Sequence, residues 1–150
     1  MDIYAQNILD RYKKPYYKSL ELGVMSLEQN KDSQLPANSS QLVFHKEANH
    51  SCGDVVEVEM EVEEGKIKKY RFSGAGCAIS MAAADMLGDL VVGMTKKEAL
   101  ELTKDEVYEM LGIEISVRRS KCALLGLLAI QNGLLTHQNL GLRSWRDYHI

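Results

Sequence analysis

Three cysteines and one aspartate are the residues of this sequence whose chemistry can define a function. Cys52 stands two residues before Asp54, and Cys77 and Cys122 follow further along the chain. A thiolate is both a nucleophile and a ligand for soft metal ions. Because three is an odd number, the cysteines cannot close a complete disulfide framework, and we expect free thiols. They are therefore either inert buried residues or metal ligands.

The residues around the cysteines favour the metal-ligand alternative. Glycines flank Cys52 and Cys77 and let the backbone approach a ligand closely. Cys77 and Cys122 stand at the starts of predicted helices, where free N–H groups favour the thiolate, and the basic residues within 118–121 act in the same direction. Three thiolates and the Asp54 carboxylate together are tolerable only around a multivalent cation. A C-x-x-C pair is absent, which excludes a zinc ribbon and a thioredoxin-type redox pair.

The clearest structural pattern is a β-hairpin that brings two cysteines to one end of a sheet. Over residues 56–63, apolar residues alternate with glutamates, which is the period of a strand with one buried face and one solvated glutamate face. Glu64-Gly65 supplies the turn, and residues 67–72 return as the second strand. Cys52 and Cys77 are equally far from this turn, so we expect them opposite each other, with Asp54 on the side of Cys52.

Helices are expected on both sides of the hairpin. Apolar residues at helical spacing predict a helix over 2–14 that ends at Pro15, whereas residues 26–41 are polar and aperiodic, as in an exposed loop. Residues 42–47 fit a short strand. The later helices are predicted at 78–92 with Gly93 as a stop, at 96–102 and 104–111 behind capping-box patterns, and at 120–135 as a buried helix, before a tail at 136–150.

Strands before helices predict a single α+β domain over residues 1–150, in which a small antiparallel sheet of about three strands has helices packed on one face. The chain has 18 basic and 21 acidic residues and a formal charge of −3, which makes a nucleic-acid partner a poor expectation. Apolar runs are too short for a membrane span, and the first residues lack a secretory apolar segment. We therefore expect a cytoplasmic protein.

The residues on either side of the three cysteines resemble those of a known family, the iron–sulfur cluster assembly scaffolds IscU and SufU and the N-terminal domain of NifU. The resemblance runs from Tyr4 to about Leu135. It rests on three cysteine motifs in the family's order, after an opening helix that ends in Tyr12-Lys13-Lys14-Pro15. The motifs are Ser51-Cys52-Gly53-Asp54, Gly74-Ala75-Gly76-Cys77-Ala78-Ile79-Ser80 and Arg119-Ser120-Lys121-Cys122-Ala123-Leu124-Leu125.

The resemblance implies an α+β sandwich with the cysteines at one exposed end. Such proteins receive sulfur from a PLP-dependent cysteine desulfurase, hold a transient [2Fe–2S] cluster and pass it to acceptor proteins, and many bind Zn²⁺ at the same ligands. By position, Cys52, Cys77 and Cys122 would be cluster or metal ligands, and Asp54 the oxygen ligand or the residue that keeps the site labile. Sulfur would arrive on Cys52 or Cys122. The protein would be a carrier and not a turnover enzyme.

Two features point to different branches of this family. Lys121 precedes the last cysteine, as in the SufU branch, where the IscU branch has histidine, yet the long SufU insertion between the second and third cysteines is absent. Two alternatives to a cluster scaffold therefore stay open: a zinc-containing SufU-type sulfur acceptor that activates the desulfurase, and a structural zinc domain.

Lys121 either stabilises a persulfide on a neighbouring thiolate or is a surface lysine at a helix start. His50 stands two residues before Cys52 and is expected to be a solvated loop residue rather than an extra ligand. His45, His137 and His149 have no chemically suggestive neighbours in the sequence.

Overall fold

The strands form an antiparallel sheet in the order β1-β2-β3, so the predicted hairpin supplies the middle strand and one edge. The fold is that of a computed structural model, which describes residues 3–19, 40–138 and 140–150. Its elements are α1 (Ile3–Lys13), β1 (Ser40–Asn49), β2 (Asp54–Glu63), β3 (Lys66–Ala75), α2 (Ala78–Val91), α3 (Lys96–Leu100), α4 (Lys104–Leu111), α5 (Ser120–His137) and two 3-10 turns at Val117–Arg119 and Trp145–Tyr148.

The core lies between the apolar face of the sheet and a layer of helices. The alternating residues of β2 point inward as predicted and are fully or almost fully buried. Helix α5 packs on β1, β2 and α2, and all its residues from Cys122 to Leu135 are buried, which confirms the predicted buried helix. The predicted α+β class, with helices on an antiparallel sheet of three strands, is confirmed.

Helix α1 is attached to α2 by a buried ion pair rather than by the whole apolar stripe. Ile8 is buried, but Ile3 and Tyr4 are 78% and 50% exposed. Arg11, one helical turn after Ile8, is buried instead, and its Nε lies 2.5 Å from Oδ2 of the fully buried Asp85. Its Nη1 donates to Asp89 at 2.8 Å. A guanidinium with several donors is satisfied only when these carboxylates face it, so the polar contact fixes the orientation of the helix.

The glutamate face of β2 is not uniformly solvated, which corrects the sequence prediction. Glu59 is fully buried, in the middle of the central strand, and it lies 3.6 Å from Arg71 across the β2–β3 pair. Lys69 pairs with Glu61 at the same distance. Because acidic β2 faces basic β3, the outer face of the sheet is stabilised by cross-strand charge pairing.

Several predicted boundaries also change. Of the predicted loop, residues 26–39 lie outside the described residues, while Ser40 and Gln41 belong to β1, which is longer than 42–47. Pairing with β2 along its whole length explains the extension. Helix α3 ends at Leu100, before 102, and α5 continues into the predicted tail. Within the described ranges, no helix has both the length and the apolar character needed to cross a membrane.

Candidate metal and sulfur site

Three elements meet at the end of the sheet and carry the cysteines. Cys52 lies in the turn between β1 and β2, Cys77 is the N-cap of α2, and Cys122 is in the first turn of α5. Ligand atoms of Cys52, Asp54 and Cys122 all lie within 4.8 Å of one another, and among the described residues they form the one group suited to a metal ion. All three cysteines are free thiols.

Cys52 is held by Asn49, a residue that the sequence analysis did not single out. The Asn49 side chain is buried, its Oδ1 accepts the Ser51 N–H at 3.2 Å, and its Nδ2 donates to Cys52 Sγ at 3.0 Å. Because the Ser51 contact fixes which end of the amide faces the sulfur, the donor is aimed at Cys52. The amide N–H of Asn49 therefore holds the Cys52 sulfur in place by a hydrogen bond. The bond from the Ser51 N–H to the Asn49 side chain, two residues apart, is an Asx turn, and an asparagine at this position was the available signal.

Cys122 has the opposite environment. It is only 7% exposed, and its Sγ lies 3.9 Å from that of Cys52. Burial raises the pKa of Cys122, and the neighbouring Cys77 and Cys52 thiols raise it further. The sequence predicted that the helix start and the basic neighbours would favour the Cys122 thiolate, but burial and the adjacent thiols outweigh them.

Asp54 completes the group with an unsatisfied oxygen. Its side chain is 5% exposed, and Oδ2 has no hydrogen-bond partner among the described residues. Gly76 makes room for the carboxyl group, because a Cβ at that position would lie 2.9 Å from the Asp54 carboxyl carbon. A buried carboxylate oxygen without a partner is costly, and a cation beside it would remove that cost.

Cys77 lies next to this group without belonging to it. Its Sγ accepts the Ser80 N–H at 3.5 Å at the N-terminus of α2. It also influences the Cys122 thiol directly, as the raised pKa of Cys122 records.

The predicted pairing of Cys52 opposite Cys77 is wrong, although the expected gathering at the sheet end occurs. A bulge between Glu61 and Val62 shifts the β2–β3 register, and regular pairing ends at Val55 opposite Ala75. Cys52 stands in the turn before β2, and its sulfur lies 3.9 Å from that of Cys122. Asp54 lies with Cys52 as predicted.

The two other predicted contributors lie beside the group. His50 is exposed in the turn, as expected for a solvated residue, and is not part of the group. Lys121 has its Nζ 6.0 Å from the centroid of the Trp145 ring. It lines the same cavity as Cys52.

The contrast between the two closest thiols leads to a labelling prediction. In metal-free protein, we expect iodoacetamide to modify Cys52 well before Cys122, because Cys52 is exposed and accepts a hydrogen bond whereas the pKa of Cys122 is raised by burial. Peptide mass spectrometry over a time course measures both rates. Equal rates, or faster labelling of Cys122, would contradict this description of the site.

The group fits a tetrahedral metal centre. Two thiolates bound to one zinc ion at about 2.3 Å and a tetrahedral angle place their sulfurs about 3.8 Å apart, and the Cys52 and Cys122 sulfurs are 3.9 Å apart. Together with the unsatisfied Asp54 oxygen, this geometry defines a class: a small α+β domain with an open sulfur-rich metal site at one end of its sheet.

The chain belongs to a family of this class. Residues 3–141 match the family described as NifU-like N terminal domain, and the chain is a member of the iron–sulfur cluster assembly scaffold family. The family predicted from the three cysteine motifs is thereby confirmed.

Relatives with both expected activities are found. The chain is 31% identical over 100 residues to an iron–sulfur cluster assembly scaffold protein IscU of Streptococcus pyogenes, covering 67% of this chain but only 52% of that protein. It is 24% identical to the zinc-dependent sulfurtransferase SufU of Bacillus subtilis, covering 88% and 89% of the two chains. The crystal structure of a protein from Fervidobacterium islandicum, described as an iron–sulfur cluster assembly scaffold for the SUF system, superposes with a TM-score of 0.58 at 27% identity over 86% of this chain and 94% of that one.

Proposed function

We propose that this protein is an iron–sulfur cluster assembly scaffold that accepts sulfur on Cys52, assembles a [2Fe–2S] cluster on Cys52, Asp54, Cys77 and Cys122, and transfers it to acceptor proteins. The proposal is carried by one observation: two thiols and a buried, unsatisfied carboxylate lie within 4.8 Å of one another, with one thiol open to solvent. The IscU relatives support the same role by name.

Sulfur arrives by thiol–persulfide exchange with a PLP-dependent cysteine desulfurase. The Cys52 thiolate attacks the outer sulfur of the desulfurase persulfide, the donor's S–S bond breaks, and the donor cysteine leaves as its thiolate. Cys52 then carries the persulfide, and no net oxidation or reduction occurs. Cys52 is suited to this step because it is exposed and the Asn49 amide positions its sulfur through a hydrogen bond. Lys121, which lines the same cavity as Cys52, offers a cation to the persulfide.

The ligand set suits cargo that must be released. Thiolates are the usual ligands of iron–sulfur clusters, whereas a carboxylate is a harder and weaker partner for iron. Asp54 therefore keeps one corner of the cluster exchangeable, and an acceptor's thiolate displaces it first. Cys77 joins the set by turning away from Ser80. The protein carries a cluster and does not turn over a substrate.

A second candidate function is favoured by the ligand geometry and by the SufU relative. The Cys52–Cys122 separation matches two ligands of one zinc ion, and the Bacillus protein named a zinc-dependent sulfurtransferase covers most of this chain. In this alternative, Zn²⁺ would be held by the same four residues and would supply a positive charge that keeps the acceptor thiol deprotonated. The chain's own residues would still present Cys52 to the desulfurase.

Anaerobic reconstitution with ferrous iron, cysteine, a cysteine desulfurase and dithiothreitol, which reduces the persulfide sulfur to sulfide, separates the two candidates. The scaffold proposal predicts the visible absorption and Mössbauer spectrum of a [2Fe–2S] cluster, which a Cys77→Ser variant loses. Persulfide transfer to Cys52 without any cluster would favour the zinc-containing sulfur acceptor. The matched control is Ser73→Ala, which changes a residue of β3 outside the metal group.

A further inference from the structure

A cavity of about 710 Å³ is lined by Cys52 but not by Asp54 or Cys122. Its walls come from the β1–β2 turn, from α4, from the segment that leads into α5, and from the C-terminal residues. The metal group shares only Cys52 with this cavity. The cavity is therefore a separate space that ends on the thiol with the greatest access to solvent.

The cavity is cationic. Lys104, Arg118 and Lys121 line it together with the imidazole of His149, and no acidic side chain lines it among the described residues. Three acidic residues of this region, Glu101, Asp105 and Asp147, line a second cavity of about 430 Å³, which shares Lys104 and His149 with the first. Three permanent cations around a partly apolar space favour a small anion over a neutral or cationic ligand.

The C-terminal segment is anchored, so this wall exists before any ligand binds. The buried Gln131 of α5 accepts hydrogen bonds from Arg143 Nη1 at 2.6 Å and from the Tyr148 hydroxyl. Asn132 accepts the Arg143 backbone N–H at 2.7 Å. Tyr148 is buried, and the next residues, His149 and Ile150, reach the cavity. A preformed wall reduces the ordering cost of binding a small ligand.

We propose that this cavity binds an anionic low-molecular-weight thiol of tripeptide size, with its carboxylates on the basic residues and its sulfur toward Cys52. The volume falls within the range of small-molecule sites, and Tyr108 and Ile115 supply apolar walls. This inference rests on the proposed sulfur acceptance by Cys52. The bound thiolate attacks the outer sulfur of the Cys52 persulfide, the S–S bond breaks, and Cys52 leaves as a thiolate while the small thiol departs as a persulfide. The site thus gives accepted sulfur a second exit that needs no iron.

Binding is tested without sulfur chemistry by titrating the full chain with S-methylglutathione, whose blocked sulfur cannot react. Trp145 is the single tryptophan, and its ring centroid lies 6.0 Å from Nζ of the cavity residue Lys121. We therefore expect its fluorescence to change when a ligand occupies the cavity. We expect a saturable change that weakens with added salt. Arg118→Gln should weaken binding about tenfold, since one charge-assisted contact is lost, while Lys68→Gln, an exposed lysine on β3, should leave it unchanged.

The outcomes separate this inference from the proposed function. The absence of a saturable change, or equal effects of Arg118→Gln and Lys68→Gln, would overturn the cavity proposal even if desulfurase-dependent persulfide transfer to Cys52 is intact. As a second measurement, transfer of sulfur from persulfidated Cys52 to glutathione should saturate with thiol concentration, whereas transfer to neutral 2-mercaptoethanol should rise linearly. If the rate of sulfur transfer rises linearly with concentration for both thiols, the cavity proposal is also overturned.

Discussion

Replacing Cys52 by serine is expected to reduce sulfur acceptance from a cysteine desulfurase by about a hundredfold or more, because a hydroxyl group is a poor nucleophile toward a persulfide sulfur at neutral pH. The fold should survive. Cys52 is exposed in a turn and contributes nothing to the apolar core, so the free energy of unfolding should change by less than about 0.5 kcal/mol. Mass spectrometry of the persulfide and urea unfolding measure the two quantities.

The matched control is Ser51→Ala in the same exposed turn, which should retain sulfur acceptance. The combination of lost transfer and retained fold also decides against a structural zinc domain. In such a domain, metal binding supplies folding free energy, so Cys52→Ser would unfold the protein. Unfolding of Cys52→Ser, or undiminished persulfide transfer to it, would contradict the proposed role of this residue.

The largest expected effect on stability comes from Arg11→Ala. The guanidinium of Arg11 is buried against Asp85, whose side chain is fully buried, and it also donates to the Asp85 carbonyl at 3.1 Å. Burial alone would lower the pKa of Arg11, but hydrogen bonds and the charges of Asp89 and Asp85 outweigh it, and the pKa is raised. Removing the cation leaves Asp85 charged and buried without its partner, which costs about 3–5 kcal/mol.

Urea unfolding of Arg11→Ala and of Lys13→Ala provides the comparison. Lys13 is exposed at the end of the same helix, so its loss should cost less than about 0.5 kcal/mol. If the two variants unfold with equal free energies, the buried ion pair is not what attaches α1. The Tyr17 backbone N–H, which donates to Asp85 at 2.7 Å, should lose protection from hydrogen exchange in Arg11→Ala.

The sequence was sufficient where local patterns decide structure. The alternation over 56–63 placed β2 and its turn, and the continuous apolar run placed α5 at the centre of the helical layer. The cysteine motifs identified the family, and of the three residues that the hairpin was expected to gather, Cys52 and Asp54 lie together, with Cys122 and not Cys77 as the third member. These features depend on short-range periodicity, turn chemistry and motif order.

The remaining features depend on contacts between distant residues, which no local pattern encodes. Arg11 looks like a surface residue of α1 until Asp85 on α2 faces it. Cys122 stands among basic residues in the sequence, but the fold turns its sulfur toward other thiols. The anchoring of the tail could not be predicted, because Gln131 and Asn132, which hold it, stand within a mostly apolar stretch of α5.

Cobalt substitution shows whether the three cysteines and Asp54 share one metal site. Co²⁺ replaces zinc at tetrahedral sites, and thiolate ligands give it intense near-ultraviolet charge-transfer absorption. We expect one tightly bound Co²⁺ per chain. Each of the variants Cys52→Ser, Cys77→Ser and Cys122→Ser should lose about one third of the charge-transfer absorption, because each removes one of three thiolates. Cobalt that binds without this absorption, or a band that any of the three variants leaves unchanged, would contradict a shared site of three sulfurs and one carboxylate.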